Sequence, residues 1–209
     1  MKLDSKKALE LLEEAKKLND GRWIEHSKKV GEVAARMAKK MGLDEEKART
    51  LGYIHDIGKR FGKECQHTVT GYEFLKEQGY DEEYANVCLT HSYLNNDINC
   101  TAGGYPNPEK YGYQMRVNFL KNYQYTIYDK IINMSDLMCT NQILTIEKRL
   151  MDLFLGRGVY NNTVYHIEQV YRLKEELEKK MNCSIYSLCP EIIEELNQIG
   201  NDKSFGVRR

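Results

Sequence analysis

Five histidines occur in the chain, at positions 26, 55, 67, 91 and 166. His55 is followed directly by Asp56, at the end of the apolar segment Leu51-Gly52-Tyr53-Ile54-His55-Asp56-Ile57-Gly58-Lys59. An imidazole nitrogen and a carboxylate oxygen are thus presented side by side. The flanking apolar residues carry the pair towards the interior, where an unpartnered charge is strongly unfavourable. A metal ion is one partner that satisfies both groups. Further groups of the same chemistry are spread along the chain. His26 stands beside an apolar stripe, His67 opens a short helical segment, and His91 closes the next one in Leu89-Thr90-His91-Ser92. Asp136 lies in Ile131-Ile132-Asn133-Met134-Ser135-Asp136-Leu137-Met138, a run where a carboxylate needs a partner. Each has a plainer role as well. His26 suits a surface or satisfied core position, His67 a helix start, His91 a polar helix end, and Asp136 the wet face of an amphipathic helix. The order sets them apart: His, then His-Asp, then two His, then Asp on a later apolar helix.

The elements that must position these groups are helical. Residues 6–18 place Ala8, Leu11, Leu12, Ala15 and Leu18 on one face. A second helix covers 22–41, with Ile24, Val30, Val33, Ala34, Met37 and Met41 as its stripe and Gly42 at its end. Asp44 caps a third helix that reaches His55-Asp56. Short helices follow over 68–78 and from Asp81 to Tyr93. Residues 95–112, rich in Asn, Gly, Pro and Tyr, read as a long loop, a length that usually marks function or motion. Helical patterning returns over 125–142 and 143–155. A charged helix follows over 160–181, and a last one over 190–199 starts at Pro190. The end, 201–209, reads as a tail.

Composition agrees with an all-α chain. Only three prolines interrupt it, and Lys, Glu, Leu and Ala are abundant. The 209 residues suit one domain, over 1–200. Lys and Arg total 31 and Asp and Glu total 31, so the formal net charge is zero. That removes the basic excess of a nucleic-acid scaffold or an anionic-membrane binder. Mean hydropathy is −0.65, and no apolar run approaches the ~20 residues of a membrane span. The start, Met1 to Lys7, leads into a charged amphipathic stretch, so a soluble cytoplasmic protein is expected. Six cysteines, at 65, 88, 100, 139, 183 and 189, form no CxxC and read as reduced thiols.

The order of His and Asp residues resembles that of the HD-domain superfamily of metal-dependent phosphohydrolases. The resemblance covers residues 20–145 and rests on the His55-Asp56 dipeptide at an apolar helix end followed by Gly58-Lys59. It implies an all-α HD-domain bundle with additional C-terminal helices over 146–200. The metal set it carries over is His26, His55, Asp56 and Asp136. The further His67, in His67-Thr68-Val69-Thr70-Gly71, and His91 look like the bimetallic branch. Within that branch the chain looks most like the small bacterial hydrolases that split diadenosine tetraphosphate symmetrically. They share the start Arg22-Trp23-Ile24-Glu25-His26, a His followed four residues on by Gly, and a single His at the next helix end. The chain departs from them in a longer segment between His91 and Asp136 and in its extension beyond Asp136.

The resemblance implies one or two divalent ions, with Fe, Mn, Zn, Ni and Co all compatible with the ligand types. In a dinuclear centre Asp56 is the bridge. His26, His55 and Asp136 complete one ion's ligands, and His67 and His91 the other's. The implied reaction is attack of a metal-activated hydroxide on a phosphoester or phosphoanhydride of a nucleotide or dinucleotide. Lys59, three residues past Asp56, and Arg22, four before His26 on the same helix face, are candidates to steady phosphoryl charge, with Arg60 a weaker third. Each also suits a solvated surface position. Tyr93, Tyr105, Tyr111 and Tyr113 suit either stacking on a base or a plain surface loop. His166 lies outside the resemblance and reads as structural. The helix over 160–181, with Val164, Ile167, Val170, Tyr171 and Leu177, either covers the core or makes a homodimer contact. Two alternatives remain: a non-catalytic nucleotide-binding regulatory HD module, and an HD-fold di-iron oxygenase using the same ligands.

Overall fold

The computed structural model describes residues 1–62 and 66–201. The α-helices are α1 (Ser5–Leu18), α2 (Arg22–Lys40), α3 (Glu45–Ile54), α4 (His67–Glu77), α5 (Glu82–Thr90), α6 (Tyr113–Asn122), α7 (Ile127–Leu137), α8 (Ile146–Arg157), α9 (Thr163–Met181) and α10 (Pro190–Asn201). Short 3₁₀ turns lie at Ile57–Phe61, Leu94–Asn96 and Ile185–Leu188. Among the described residues there is no strand, only an isolated bridge between Cys139 and Ile143. The fold is all-α. No helix among the described residues is long and apolar enough to cross a membrane.

Local sequence explains the starts of the helices that carry the site. The Asp4 side chain accepts from the Lys7 amide at 2.7 Å to cap α1, and the Asp44 side chain accepts from the Lys47 amide at 3.0 Å to cap α3. Thr126 and Asp129 form a reciprocal capping box at the start of α7. The apolar faces then assemble a core from α2, α3 and α7, with α1 on the outer side of α3 and the α4–α5 pair beside it. Leu18, expected on the buried face of α1, is 63% exposed, because the helix ends there and its last turn runs past the core.

Glycine sets the central approach. A Cβ on Gly52 would lie 2.4 Å from Gly31 Cα, so α2 and α3 touch backbone to backbone. That contact draws His26 on α2 and His55 at the end of α3 to one place.

Two boundaries near the site differ from the sequence expectation, and one helix is added to it. α5 ends at Thr90 rather than Tyr93, with His91 as its cap. The segment expected as helix over 125–142 ends at Leu137, and the chain then turns through the Cys139–Ile143 bridge. Asp136 therefore lies in the last turn of α7 rather than mid-helix. α6 was not expected at all. Of its residues only Arg116 and Leu120 are buried, so its sequence carries almost no apolar stripe. The tail expected over 201–209 lies outside the described residues from 202 onward.

The C-terminal helices cover the core. Val170, Leu173 and Leu177 of α9 are buried, Ile167 packs against them, and Val164 is left 69% exposed. α10 is tied to α2 by a bidentate ion pair from Arg36 to Glu191, both contacts at 2.8 Å. Among the described residues the cysteines at 88, 100, 139, 183 and 189 are free thiols. Cys65 lies outside them.

Candidate metal centre

Six side chains from five places in the chain meet at the base of one cleft. His26 comes from the second turn of α2, and His55 and Asp56 from the end of α3. His67 is the first residue of α4, His91 caps α5, and Asp136 is in the last turn of α7. His55, Asp56 and His91 are almost fully buried, and His26 nearly so.

Asp56 divides the group. Its Oδ2 lies 3.7 Å from His26 Nε2 and 3.5 Å from His55 Nε2. Its Oδ1 lies 3.3 Å from His67 Nε2 and 3.4 Å from His91 Nε2. Within the first set His26 Nε2 and His55 Nε2 are 3.2 Å apart, and Asp136 Oδ1 is 2.9 Å from His26 Nε2 and 3.8 Å from His55 Nε2. Within the second, His67 Nε2 and His91 Nε2 are 3.3 Å apart. His26, His55 and Asp56 form one group that could hold a metal ion, and Asp56, His67 and His91 another, so Asp56 belongs to each.

The tautomers favour a cation at these points. His55 Nδ1 lies 2.7 Å from the Gly52 carbonyl, and His91 Nδ1 lies 3.2 Å from the Val87 carbonyl. A carbonyl only accepts, so each Nδ1 carries the proton and each Nε2 turns a lone pair inward. Burial pushes the His55 imidazole down to about 4 and the His67 imidazole down to about 3, so both are neutral near pH 7. Burial alone would raise the Asp56 carboxyl, but the Lys59 ammonium and the surrounding imidazoles outweigh it and hold it well below the usual range. Asp136 is likewise held down against its burial, first by the hydrogen bond from His26. Inward lone pairs and two carboxylates at such distances are the donor set of a bound divalent ion.

The backbone holds the groups in register. A Cβ on Gly58 would lie 2.0 Å from the His67 carbonyl oxygen and 2.5 Å from the Gly71 amide nitrogen, so the turn after Asp56 packs directly on the start of α4. Asn133 Nδ2 donates to the carbonyls of Thr90 at 3.0 Å and His91 at 2.7 Å. It fixes the end of α5 against α7, one turn before Asp136.

The cleft above this base encloses about 430 Å³. Arg22, Trp23 and Lys59 line it, as do Thr101 and Ala102 of the long loop. Lys59 Nζ contacts Asp56 Oδ2. Arg60, the weaker cationic candidate, is placed elsewhere: its guanidinium lies 4.0 Å from the centroid of the Phe74 ring. None of Tyr93, Tyr105, Tyr111 and Tyr113 lines the cleft. The Tyr93 hydroxyl accepts from Arg116, and Tyr111 donates to Glu73 at 2.8 Å.

A family model described as HD domain matches residues 23–138. The chain belongs to the HD-domain family. The HD match encloses all six residues of the cleft base. Curated relatives include ribonuclease Y of Fervidobacterium nodosum, 37% identical over 70 residues, or 32% of this chain and 14% of that protein. Ribonuclease Y of Thermotoga maritima is 39% identical over 70 residues, with 32% of this chain and 14% of that protein covered. The match spans only about 14% of the length of these relatives. Among solved structures, the HD domain of the phosphodiesterase PgpH from L. monocytogenes aligns with a TM-score of 0.49 and 17% identity, covering 91% of this chain and 98% of that one. Its complex with cyclic-di-AMP aligns with a TM-score of 0.49 and 18% identity, covering 93% and 98%.

Part of the cleft lining lies beyond the HD match. Arg149, Leu153 and Arg157 of α8 and His166 of α9 line it there. Sequence reading assigned His166 a structural role and did not single out Arg149 or Arg157. Trp23 was quoted only as part of the helix start, yet it is an aromatic residue that does line the cleft.

A pH dependence follows from the neutral histidines. Burial, with Arg157 acting in the same direction, also holds His166 down to about 4. In the unfolded chain all three protonate near 6.5, whereas in the fold His55 and His166 wait until about 4 and His67 until about 3. The unfolded state therefore binds more protons below pH 6.5, and stability falls as pH drops. Metal-depleted protein should lose on the order of a few kcal/mol between pH 7 and pH 4, read by denaturant melts at each pH. A flat profile across that window would contradict the neutral form of these three imidazoles in the fold.

Proposed function

We propose that the chain is a metal-dependent phosphohydrolase that cleaves a phosphoester or phosphoanhydride of a small nucleotide or dinucleotide. The observation that carries this reading is the Asp56 carboxylate, with one oxygen towards His26 and His55 and the other towards His67 and His91. His26, His55, Asp56 and Asp136 would hold one divalent ion, and Asp56, His67 and His91 a second. Ions held this way supply Lewis acidity and lower the pKa of water, so that hydrolysis proceeds near neutral pH. Fe, Mn, Zn, Ni and Co all suit this donor set.

The chain's own residues supply the rest. Asp56 fixes the spacing between the sets through its two oxygens. The backbone carbonyls of Gly52 and Val87 keep the His55 and His91 rings oriented. Lys59, at the cleft base, and Arg22, at its edge, are cations placed to hold phosphoryl oxygens as negative charge builds on them. Water adds to phosphorus, the bond from phosphorus to the leaving oxygen breaks, and that oxygen takes up a proton. The reading extends the resemblance to the diadenosine tetraphosphatase type and places the activity in the cytoplasm.

Elemental analysis of purified protein, coupled to phosphate release from mono-, di- and polyphosphate nucleotides, tests this. Metal with release supports the reading. Metal with no release from any nucleotide favours a binding module, and metal with nucleotide-independent oxygen uptake favours the di-iron oxygenase. Lys59→Ala should raise KM for a nucleotide about tenfold, the loss of one charge-assisted contact, with metal content unchanged. Metal loss in that variant would show that Lys59 supports the centre rather than the phosphate.

A further inference from the structure

We propose that the cleft wall formed by α8 and α9 is an anion subsite, built from Arg149, Arg157 and His166, that takes a second phosphate group of the substrate. This rests on the phosphohydrolase reading and narrows its substrate to molecules with at least two phosphates, a nucleoside polyphosphate or a dinucleotide. All three residues line the same cleft as the metal centre, and all three lie beyond the HD match at 23–138.

Two of them carry buried polar atoms without partners, where the fold elsewhere pairs such groups. Lys148 reaches Glu195 at 2.5 Å, Lys130 reaches Glu176 at 2.7 Å, and Arg36 reaches Glu191 at 2.8 Å. Arg149 and Arg157 make no ion pair among the described residues, and Arg149 Nε is buried without a hydrogen-bond partner. His166 is 3% exposed and lines the cleft, and its Nε2 also lacks a partner. Its Nδ1 faces Cys100 Sγ at 3.6 Å. A buried polar atom left without a partner is unfavourable, so the orphaned Arg149 Nε and His166 Nε2 on one wall point to a polar group supplied from outside.

Charge on the wall has one sign. Among the described residues the only carboxylates lining the cleft are Asp56 and Asp136, and both belong to the metal centre. Among the described residues, Arg149, Arg157 and Arg22 therefore face the open volume with no acidic side chain beyond those two to compensate them. A guanidinium presents paired donors that match phosphate oxygens. At about 430 Å³ the cleft has the size of a small-ligand site and exceeds what one phosphate fills. Trp23 offers aromatic surface for a base in the same cleft.

Equilibrium binding to the metal-loaded full chain tests the subsite without turnover. The probes are α,β-methylene adenosine diphosphate, with two phosphorus groups, and the non-hydrolysable phosphonate analogue of adenosine monophosphate, with one. The wild type should bind the first at least about tenfold more tightly, the scale of one good charge-assisted contact. Arg149→Gln and Arg157→Gln should each remove most of that preference with metal content unchanged. Arg157 is exposed, so its substitution carries little folding risk. Equal affinity for both analogues, no measurable binding of either, or a preference that survives the double variant would overturn the subsite. Absence of turnover with every nucleotide would instead overturn the phosphohydrolase reading and leave this binding comparison intact.

Discussion

Asp56→Asn is expected to strip metal from both sets of imidazoles at once and to lower kcat at least about a thousandfold, some 4 kcal/mol of barrier. The reason is geometric. One carboxylate serves both sets, Oδ2 at 3.5 and 3.7 Å on one side and Oδ1 at 3.3 and 3.4 Å on the other. Asparagine keeps the shape but offers one neutral oxygen and an amide nitrogen with no lone pair for a metal. Whichever way the amide turns, one set loses its oxygen donor and both lose the negative charge. His67→Ala removes a donor from the second set alone. Elemental analysis of the two variants should therefore differ, near zero metal in Asp56→Asn and a partial loss in His67→Ala. Equal metal content in Asp56→Asn and wild type would rule out the bridging role.

Gly58→Ala is expected to separate the two sets. The added methyl would meet the His67 carbonyl oxygen at 2.0 Å and the Gly71 amide nitrogen at 2.5 Å, both backbone atoms that cannot rotate away. The start of α4 must move outward, and His67 moves with it. Overpacking of this kind costs about 1–3 kcal/mol. The metal-to-chain ratio should fall while the His26, His55 and Asp136 set is retained, and the thermal midpoint should drop with it. Unchanged metal stoichiometry in a folded Gly58→Ala protein would show that the second set does not depend on this contact.

The legibility of these features in the sequence depends on what kind of signal carries them. His55-Asp56 is readable because both ligand types are adjacent and sit at the end of an apolar helix. His26, His67, His91 and Asp136 are readable only through their order, since each alone fits a plain role. The helices with continuous apolar stripes, α1, α2 and α3, emerge close to their observed ends. α6 does not, because it buries little more than Arg116 and Leu120. The cleft wall is the least legible part. Arg149, Arg157 and His166 have no spacing that links them to Asp56, and only the packing of α8 and α9 beside the centre brings them into one cleft. For the tyrosines in and beside 95–112 the sequence leaves both stacking on a base and a plain surface loop open. In the structure Tyr93 is bonded to Arg116 and Tyr111 to Glu73, and of that segment Thr101 and Ala102 line the cleft instead.

The central claim is that one carboxylate joins two metal-holding sets into a phosphate-hydrolysing centre. Titrating a divalent ion such as Mn²⁺ into metal-depleted protein while following phosphate release from a nucleotide tests it most directly. The account predicts no release without metal and a rate that climbs until two equivalents per chain are bound. Release that persists in the metal-depleted protein, or that is indifferent to added metal, would contradict it.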